Sequence, residues 1–474
     1  MTPPTATDTP CDRPAASDGS PPRPDSVSRE AEGDGLPRTV SDPSALAEPT
    51  LRLEGTPDAQ GTRRRGTVGA ALAHRQFRRV AAGAFASNIG TWMQNVTLIA
   101  LANSLTHSGA FVGLVTFAQL GPMLVASPVG GVLADRFNRR HIIMTGSAVQ
   151  GVLSVALAVV AWNATPPPWA LVVIVLGIGV SNALIAPSNG ALLPNLVDRE
   201  DLSGAVAVNS ASMNGSRVLG PLLAALTAPL GTGWIFLINA ATYLFVIAAV
   251  GAAKVTLPPP ADTTLGPWMR FRAGLGAVKA SPVLTRVLTI ISSFSLFSLV
   301  FIYQLPGLAE EQLGITGTAF YRLFAAFGLG AAAGALLLGT VLGGRTLHRV
   351  PLVALPAFSV SLFTFAMVSD PAIAYPVIFV LGFCYFALVT ALATTLQEAV
   401  EDTHRGRVMG LWMISWAGLV PVGSLLAGPV IDQIGGQPVL FFGAAVALAL
   451  TPLGNLDRQP HAGPTVPVPL PGSP

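Results

Sequence analysis

Charge is scarce in this chain. Asp, Glu, Lys and Arg make up 11% of its 474 residues, against roughly a quarter in soluble domains. Cysteine is nearly absent: Cys11 lies in a polar stretch and Cys384 in an apolar one, so neither a disulfide framework nor a thiolate metal site is expected. No G-x-x-x-x-G-K-[ST] phosphate loop occurs, which argues against ATP as the direct energy source. "GLGAAAG" (328–334) comes near a nucleotide loop but sits in an apolar run with no preceding strand, where close helix packing explains it better. No H-E-x-x-H, metal cluster or Ser/His/Asp set stands out, so no enzyme chemistry, cofactor or metal is expected. The first sixty or so residues are rich in Pro, Asp, Ser and Gly and carry no apolar leader segment.

What the chain does have is apolar length. Hydrophobic residues make up 51% and the mean hydropathy is +0.59, the signature of a polytopic membrane protein. A spanning helix needs about 20 mostly apolar residues. Such stretches are read at 80–105, 110–134, 141–162, 168–190, 204–229 and 233–254, and again at 284–305, 319–343, 350–369, 372–396, 407–433 and 435–453. The expected fold is therefore all-α, with twelve transmembrane helices in two six-helix bundles. The corresponding division is a disordered tail over 1–75, bundles over 76–255 and 284–455, a linker over 256–283 and a short tail over 456–474. Within the linker, "PWMRFRAGLGAV" has the make-up of a short basic amphipathic helix, although a plain connection between bundles is the simpler reading.

The net charge of +3 conceals an asymmetry: residues 1–61 hold eleven acids and five arginines, and residues 62–474 hold thirteen acids and twenty-two bases. In a soluble protein such an excess suggests nucleic acid. Here it belongs at a membrane face. One set of loops carries Arg136, Arg139, Arg140, Arg199, Arg270, Arg272, Lys279, Arg345, Arg349, Arg405 and Arg407, whereas "THSG", "NATPPPW", "GTG", "GLAEEQLGITGT", "SDPAIA" and "GGQP" on the other side contain no Lys or Arg. By the positive-inside rule both termini are cytoplasmic. The partner expected of such a chain is a lipid bilayer, with no nucleic acid.

The halves echo each other at an offset of about 203 residues. "LLPNLVDREDLSGAVAVNSASMNGSRVLGP" (192–221) aligns with "TLQEAVEDTHRGRVMGLWMISWAGLVPVGS" (395–424), bringing Gly215 onto Gly418 and Gly220 onto Gly423. Parallel repeats of this kind build transporters whose substrate path lies at the repeat interface.

Between the second and third spans stands "GGVLADRFNRRHIIM" (130–144). A turn this short needs partners for its helix-end amides and carbonyls, which an acid and several arginines supply, so a plain positive-inside turn is one reading. The order Gly131-x-x-x-Asp135-Arg136-x-Asn138-Arg139-Arg140 also resembles the loop 2–3 signature of the major facilitator superfamily, G-x-x-x-D-R-x-G-R-R. Asn138 replaces the last glycine, and asparagine tolerates a left-handed backbone better than most residues. The resemblance covers about 75–455. It implies that Asp135, with Gly131, Arg136, Arg139 and Arg140, locks the cytoplasmic side against the start of helix eleven near Arg405–Met409, including Arg407, when the carrier is open outward. The 4–5 region, "EDTHRGRVMGL" and "FYRLFAAFGLGAAAGALLLG" are similar to the enterobactin-exporter-like branch, which includes siderophore and macrolide exporters. What it implies is secondary export of a small-molecule substrate, a moderately large and partly polar compound, across a bacterial inner (cytoplasmic) membrane by alternating access, in antiport with a coupling proton. An importer of the same fold and a transport-inactive sensor or scaffold are the alternatives.

Arg217 falls about thirteen residues into the fifth span, where a charge facing lipid would cost at least 2–3 kcal/mol. It is either a cavity residue for an anionic group or a buried arginine held by carbonyls and by Asn209 or Asn214. Asn88, Gln94, Asn95 and Gln119 either line a central cavity or make interhelical hydrogen bonds. Tyr303, Gln304, Glu310, Glu311 and Arg322 form an outer group in which Glu310 or Glu311 can pair with Arg322, as a transport element or as a solvated surface pair. Trp412 and Trp416, one turn apart, offer an aromatic wall or ordinary packing. A proton carrier wants a buried carboxylate, yet no acid lies in mid-span; the candidates Asp135, Glu398 and Asp432 all sit near helix ends.

Overall fold

The computed structural model describes residues 65–163, 166–253, 267–340, 344–401 and 404–456. Regular structure among them is entirely helical. In chain order the helices are α1 (Val68–Ala73), α2 (Arg75–Thr106), α3 (Gly109–Leu120), α4 (Pro122–Arg136), α5 (Arg139–Trp162), α6 (Pro168–Leu192), α7 (Leu202–Thr227), α8 (Thr232–Ala252) and α9 (Pro267–Ala280). They continue with α10 (Pro282–Ser293), α11 (Val300–Leu313), α12 (Gly317–Thr340), α13 (Val350–Met367), α14 (Pro371–Ala399), α15 (Arg405–Met413), α16 (Leu419–Ile434) and α17 (Gly436–Ala449). Three passes are composite. Pro122 breaks one pass into α3 and α4 at Gly121. Single π-turns at Phe294–Ser298 and Ile414–Gly418 join α10 to α11 and α15 to α16.

Counted this way, the described residues make twelve passes in the order expected from the sequence. Nine are long and apolar enough to cross a membrane by length and composition. The others are α2 and α7, which carry polar residues toward the interior, and the short α17. Side chains on the outer surface are apolar, Val125 at 79% exposed and Leu226 at 74% among them, an arrangement suited to hydrocarbon rather than water.

The passes pack as two sets. In the first, α8 lies against α2 and α5, α7 against α2, and α6 against α4 and α5; in the second, α14 packs on α12 and α13, and α13 on α17. Two seams join the sets: α3 runs along α16, and α7 along α12. Both seams depend on glycine. A Cβ on Gly328 of α12 would lie 2.7 Å from the Arg217 carbonyl oxygen of α7, and one on Gly109 would lie 3.0 Å from the Gly428 carbonyl oxygen. The internal repeat is visible in the same terms: Gly220 admits α2 at Trp92 and Met93, and Gly423 admits the π-turn and start of α11 at Leu296 and Val300.

Several expectations need correction. Residues 65–75 do not belong to an unstructured tail: Thr67 caps α1 by accepting from the Ala70 amide at 3.2 Å. His74 then meets Asp201 at 2.9 Å, and Arg65 pairs with Glu200 at 2.8 Å. The seventh pass continues to Leu313, taking in Glu310 and Glu311, and stops only where Gly314 turns left-handed at φ 63°. Asn138 is not left-handed. Its backbone is extended at φ −63°, and its side chain caps α5 by accepting from the Arg140 amide at 3.0 Å. The linker does form a helix, α9, which packs on α15 with Gly274 close to Arg407; residues 254–266 lie outside the described residues.

Candidate functional site

Between the two sets lies a chamber of about 300 Å³ centred on Arg217. Its guanidinium carbon stands 4.4 Å from the ring centroid of Phe386 (α14), 5.6 Å from Trp92 (α2) and 5.8 Å from Trp416 (α16-side π-turn). One guanidinium nitrogen donates to Asn214 Oδ1 at 2.8 Å. No carboxylate among the described residues pairs with it. The rings are themselves braced: Trp416 Nε1 donates to the Tyr385 hydroxyl at 3.0 Å, and Tyr385 stacks on Phe327 at 6.0 Å. Cation–π contacts contribute about 0.5–2 kcal/mol each. They stabilise the cation without neutralising it, so the chamber keeps a positive centre walled by aromatic faces.

Such a chamber accepts an organic anion with planar, apolar parts. Tyr303 also lines it, as do Asn95 and Gln119. Sequence spacing paired Trp412 with Trp416, but the intervening π-turn separates them: Trp416 faces the chamber and Trp412 is 3% exposed in the core of the second set. Trp92, Tyr385 and Phe386 were not singled out from the sequence. Nothing along the chain marks them, because the cage is assembled from helices far apart in sequence.

A second cavity of about 500 Å³ adjoins this one and is lined by the first set alone. Asn88, Gln94, Gln119 and Asn209 reach it. Gln94 is nonetheless a structural hub: its Oε1 accepts from Ser154 Oγ at 2.8 Å and Asn239 Nδ2 at 2.9 Å, tying α2 to α5 and α8. Gln119 donates to Asn95 Oδ1 at 2.6 Å. Asn209 turns to the Met213 sulfur at 3.8 Å.

The face opposite the arginine-rich loops is tied shut across the two sets. Asp432 of α16 accepts from the Ser108 hydroxyl (2.7 Å) and from the Gly109 (2.6 Å) and Ala110 (3.1 Å) amides, the first turn of α3. Gln304 donates to the Gly109 carbonyl at 3.0 Å, and Asn103 Nδ2 to Glu310 Oε2 at 2.7 Å. Gln304 is thus a buried tie between helices and not a cavity residue. Arg322 is exposed on α12 and forms no ion pair with Glu310 or Glu311, since Glu310 is turned to Asn103 and to His107, 3.6 Å away. Glu398 sits at the surface beside His348 at 2.9 Å.

On the basic face the arginines satisfy their own set. Arg139 reaches the carbonyls of Ala134 (3.2 Å) and Ala191 (3.5 Å), and Arg140 that of Gly251. Arg136 is exposed. The Asp135 side chain lies outside the described residues, so its approach to Arg405–Met409 is not seen; Arg405 is exposed at the start of α15, and Arg407 faces α9. A Cβ on Gly131 would meet nothing within 4 Å, whereas one on Gly130 would lie 2.8 Å from the Ala183 and Leu184 carbonyls, so Gly130 makes the tight crossing with α6.

A family model described as "Transmembrane secretion effector" matches residues 67–460. Enterobactin exporter EntS of Shigella flexneri is 28% identical over 403 residues, covering 82% of this chain and 94% of that protein. The crystal structure of nucleoside transporter NupG matches with a TM-score of 0.62 at 14% identity, covering 81% of this chain and 99% of that one. A bacterial homologue of the human lysosomal transporter Spinster, inward-facing and unoccupied, matches with a TM-score of 0.60 at 14% identity over 81% and 96% of the two chains.

Proposed function

The chain belongs to the transmembrane secretion effector family of the major facilitator superfamily, and on that premise we propose that it exports an anionic, partly aromatic small molecule across the cytoplasmic membrane by alternating access. The observation that carries this reading is Arg217, a cation in mid-span with an amide and three aromatic faces for neighbours and no carboxylate partner among the described residues. An intramembrane charge left without a counter-ion is costly unless a ligand or water supplies one. Siderophores of the kind the relative is named for, enterobactin, match that chemistry, as do other drug-like anions.

With the basic loops and both termini in the cytoplasm by the positive-inside rule, the hydrogen bonds that Asp432 and Glu310 accept and that Gln304 donates close the external side. The cavity then loads from the cytoplasm. In the opposite state, Asp135 with Arg136, Arg139 and Arg140 closes on the start of α15. The proton gradient is the driving force that fits a chain without a phosphate-binding loop. Asp432 acts in this scheme as the external latch, and neither it nor Glu398 lines the chamber.

Direction is tested with membrane vesicles of both orientations, given an imposed pH gradient and enterobactin as the probe. Uptake into inverted vesicles and none into right-side-out vesicles is expected. Uptake confined to right-side-out vesicles would make the protein an importer.

A further inference from the structure

The larger cavity holds more hydrogen-bonding capacity than the protein itself uses. Asn88 on α2, Gln150 on α5, and Asn182 and Asn189 on α6 all border it, and none makes a side-chain hydrogen bond to another described residue. The arrangement is regular: Asn182 and Asn189 are seven residues apart, as are Asn88 and Asn95, which places each pair on one helix face. Gln150 is buried, Asn88 is half-buried, and Asn182 and Asn189 are open to the cavity, so their amides stay free to bond water or a ligand that displaces it.

The lining also says what kind of ligand. Among the described residues it contains no Asp, Glu, Lys or Arg, so a charged group entering it would lose hydration with no counter-ion from them to replace it. Amides both donate and accept. The complement is an uncharged group dense in donors and acceptors, such as sugar hydroxyls or peptide amides. This cavity shares a wall with the Arg217 chamber: Asn95, Gln119 and Met213 line both.

We propose that the amide-lined cavity is a second subsite, which binds the neutral, hydrogen-bonding portion of a two-part ligand whose anionic aromatic portion sits at Arg217. The inference rests on the reading of the Arg217 chamber as an anion site. It adds a specificity rule: a neutral hydrogen-bonding substituent strengthens binding of an aromatic anion, and the gain comes from Asn88, Gln150, Asn182 and Asn189.

Calorimetry on the full chain in lipid nanodiscs tests this with benzoate and with 2-(glucosyloxy)benzoate, a glucoside that carries one neutral sugar on the ring and keeps the free carboxylate. The glucoside is expected to bind wild type about tenfold more tightly, the effect of one or two net neutral hydrogen bonds. An Asn182→Leu/Asn189→Leu variant should lose that advantage and bind benzoate as wild type does. Restoring polar capacity with Asn182→Gln/Asn189→Gln should recover most of it, which separates loss of the subsite from loss of the fold. In Arg217→Gln, both affinities should fall while their ratio is kept. A wild-type protein that does not favour the glucoside, or a Leu variant that keeps the full advantage, overturns the subsite. If Arg217→Gln leaves benzoate binding intact while the Leu variant removes the sugar effect, the anion site fails and the amide subsite survives.

Discussion

Asp432 caps Gly109. The carboxylate at the end of α16 accepts the Gly109 amide at 2.6 Å, with Ser108 and Ala110 as its other donors. One side chain of the second set thereby satisfies the amides that open the first turn of α3, where a helix dipole favours an anion. Hydrogen bonds to a charged acceptor contribute a net stabilisation of about 1.5–3 kcal/mol each when buried. The exposed position of Asp432 reduces that figure.

Asp432→Ala should therefore shift the population toward the state open on this face, by about tenfold. Spin labels at the ends of α2 and α11, read by pulsed dipolar spectroscopy, report the separation. Unchanged distance distributions would remove Asp432 from the gate.

Arg217 sets a second expectation. Phe386→Leu removes the nearest of its three aromatic faces, worth about 0.5–2 kcal/mol. Affinity for an aromatic anion should fall by a few-fold to about thirtyfold, while the protein still folds. Titration by tryptophan fluorescence is a direct readout, because Trp92 and Trp416 flank the same guanidinium.

Gln94 makes a stability prediction. It is 1% exposed, and its carbonyl oxygen gathers donors from Ser154 and Asn239. Gln94→Leu leaves both donors buried without that acceptor, a loss of about 1–3 kcal/mol. Thermal unfolding in detergent should show a clearly lowered midpoint.

The docked segment before α2 is expected to respond to acid. The hydrogen bond from His74, and then that from the Gly66 amide, hold the Asp201 carboxyl below its usual range. A depressed folded value means that docking is favoured at any pH above the ordinary carboxylate range, near 3.9. This contribution fades as the pH falls through the lowered value. Amide exchange over residues 66–74 should stay slow from neutral pH down to about 5 and rise in stronger acid. Asp201→Asn should exchange fast even at neutral pH.

Much of the fold was legible because apolar length and loop charge are local properties. The twelve spans, their order and the division of basic loops need only windows of about 20 residues. Ends were less legible. Nothing apolar marks Glu310 and Glu311 as helical; the helix continues because Glu310 finds Asn103 and because Gly314 supplies the stop. At Asn138 the sequence invited a backbone argument where the structure uses a side-chain cap.

The candidate site was half legible. Arg217 stands out in any apolar window, but its cage comes from Trp92, Phe386 and Trp416, which lie on three helical passes far apart along the chain. Gln304 and Asp432 are polar residues that a cavity and a seam would use equally well. Only their partners on α3 decide between the two.

The central claim is that Arg217 holds the anionic part of an exported molecule. Its most direct test is gradient-driven uptake of enterobactin into inverted vesicles, comparing wild type with Arg217→Ala and Arg217→Lys at matched protein levels. The account predicts robust uptake by wild type, at least a tenfold loss in Arg217→Ala, and partial recovery in Arg217→Lys, which restores charge without the planar stacking group. Wild-type rates in Arg217→Ala would contradict it.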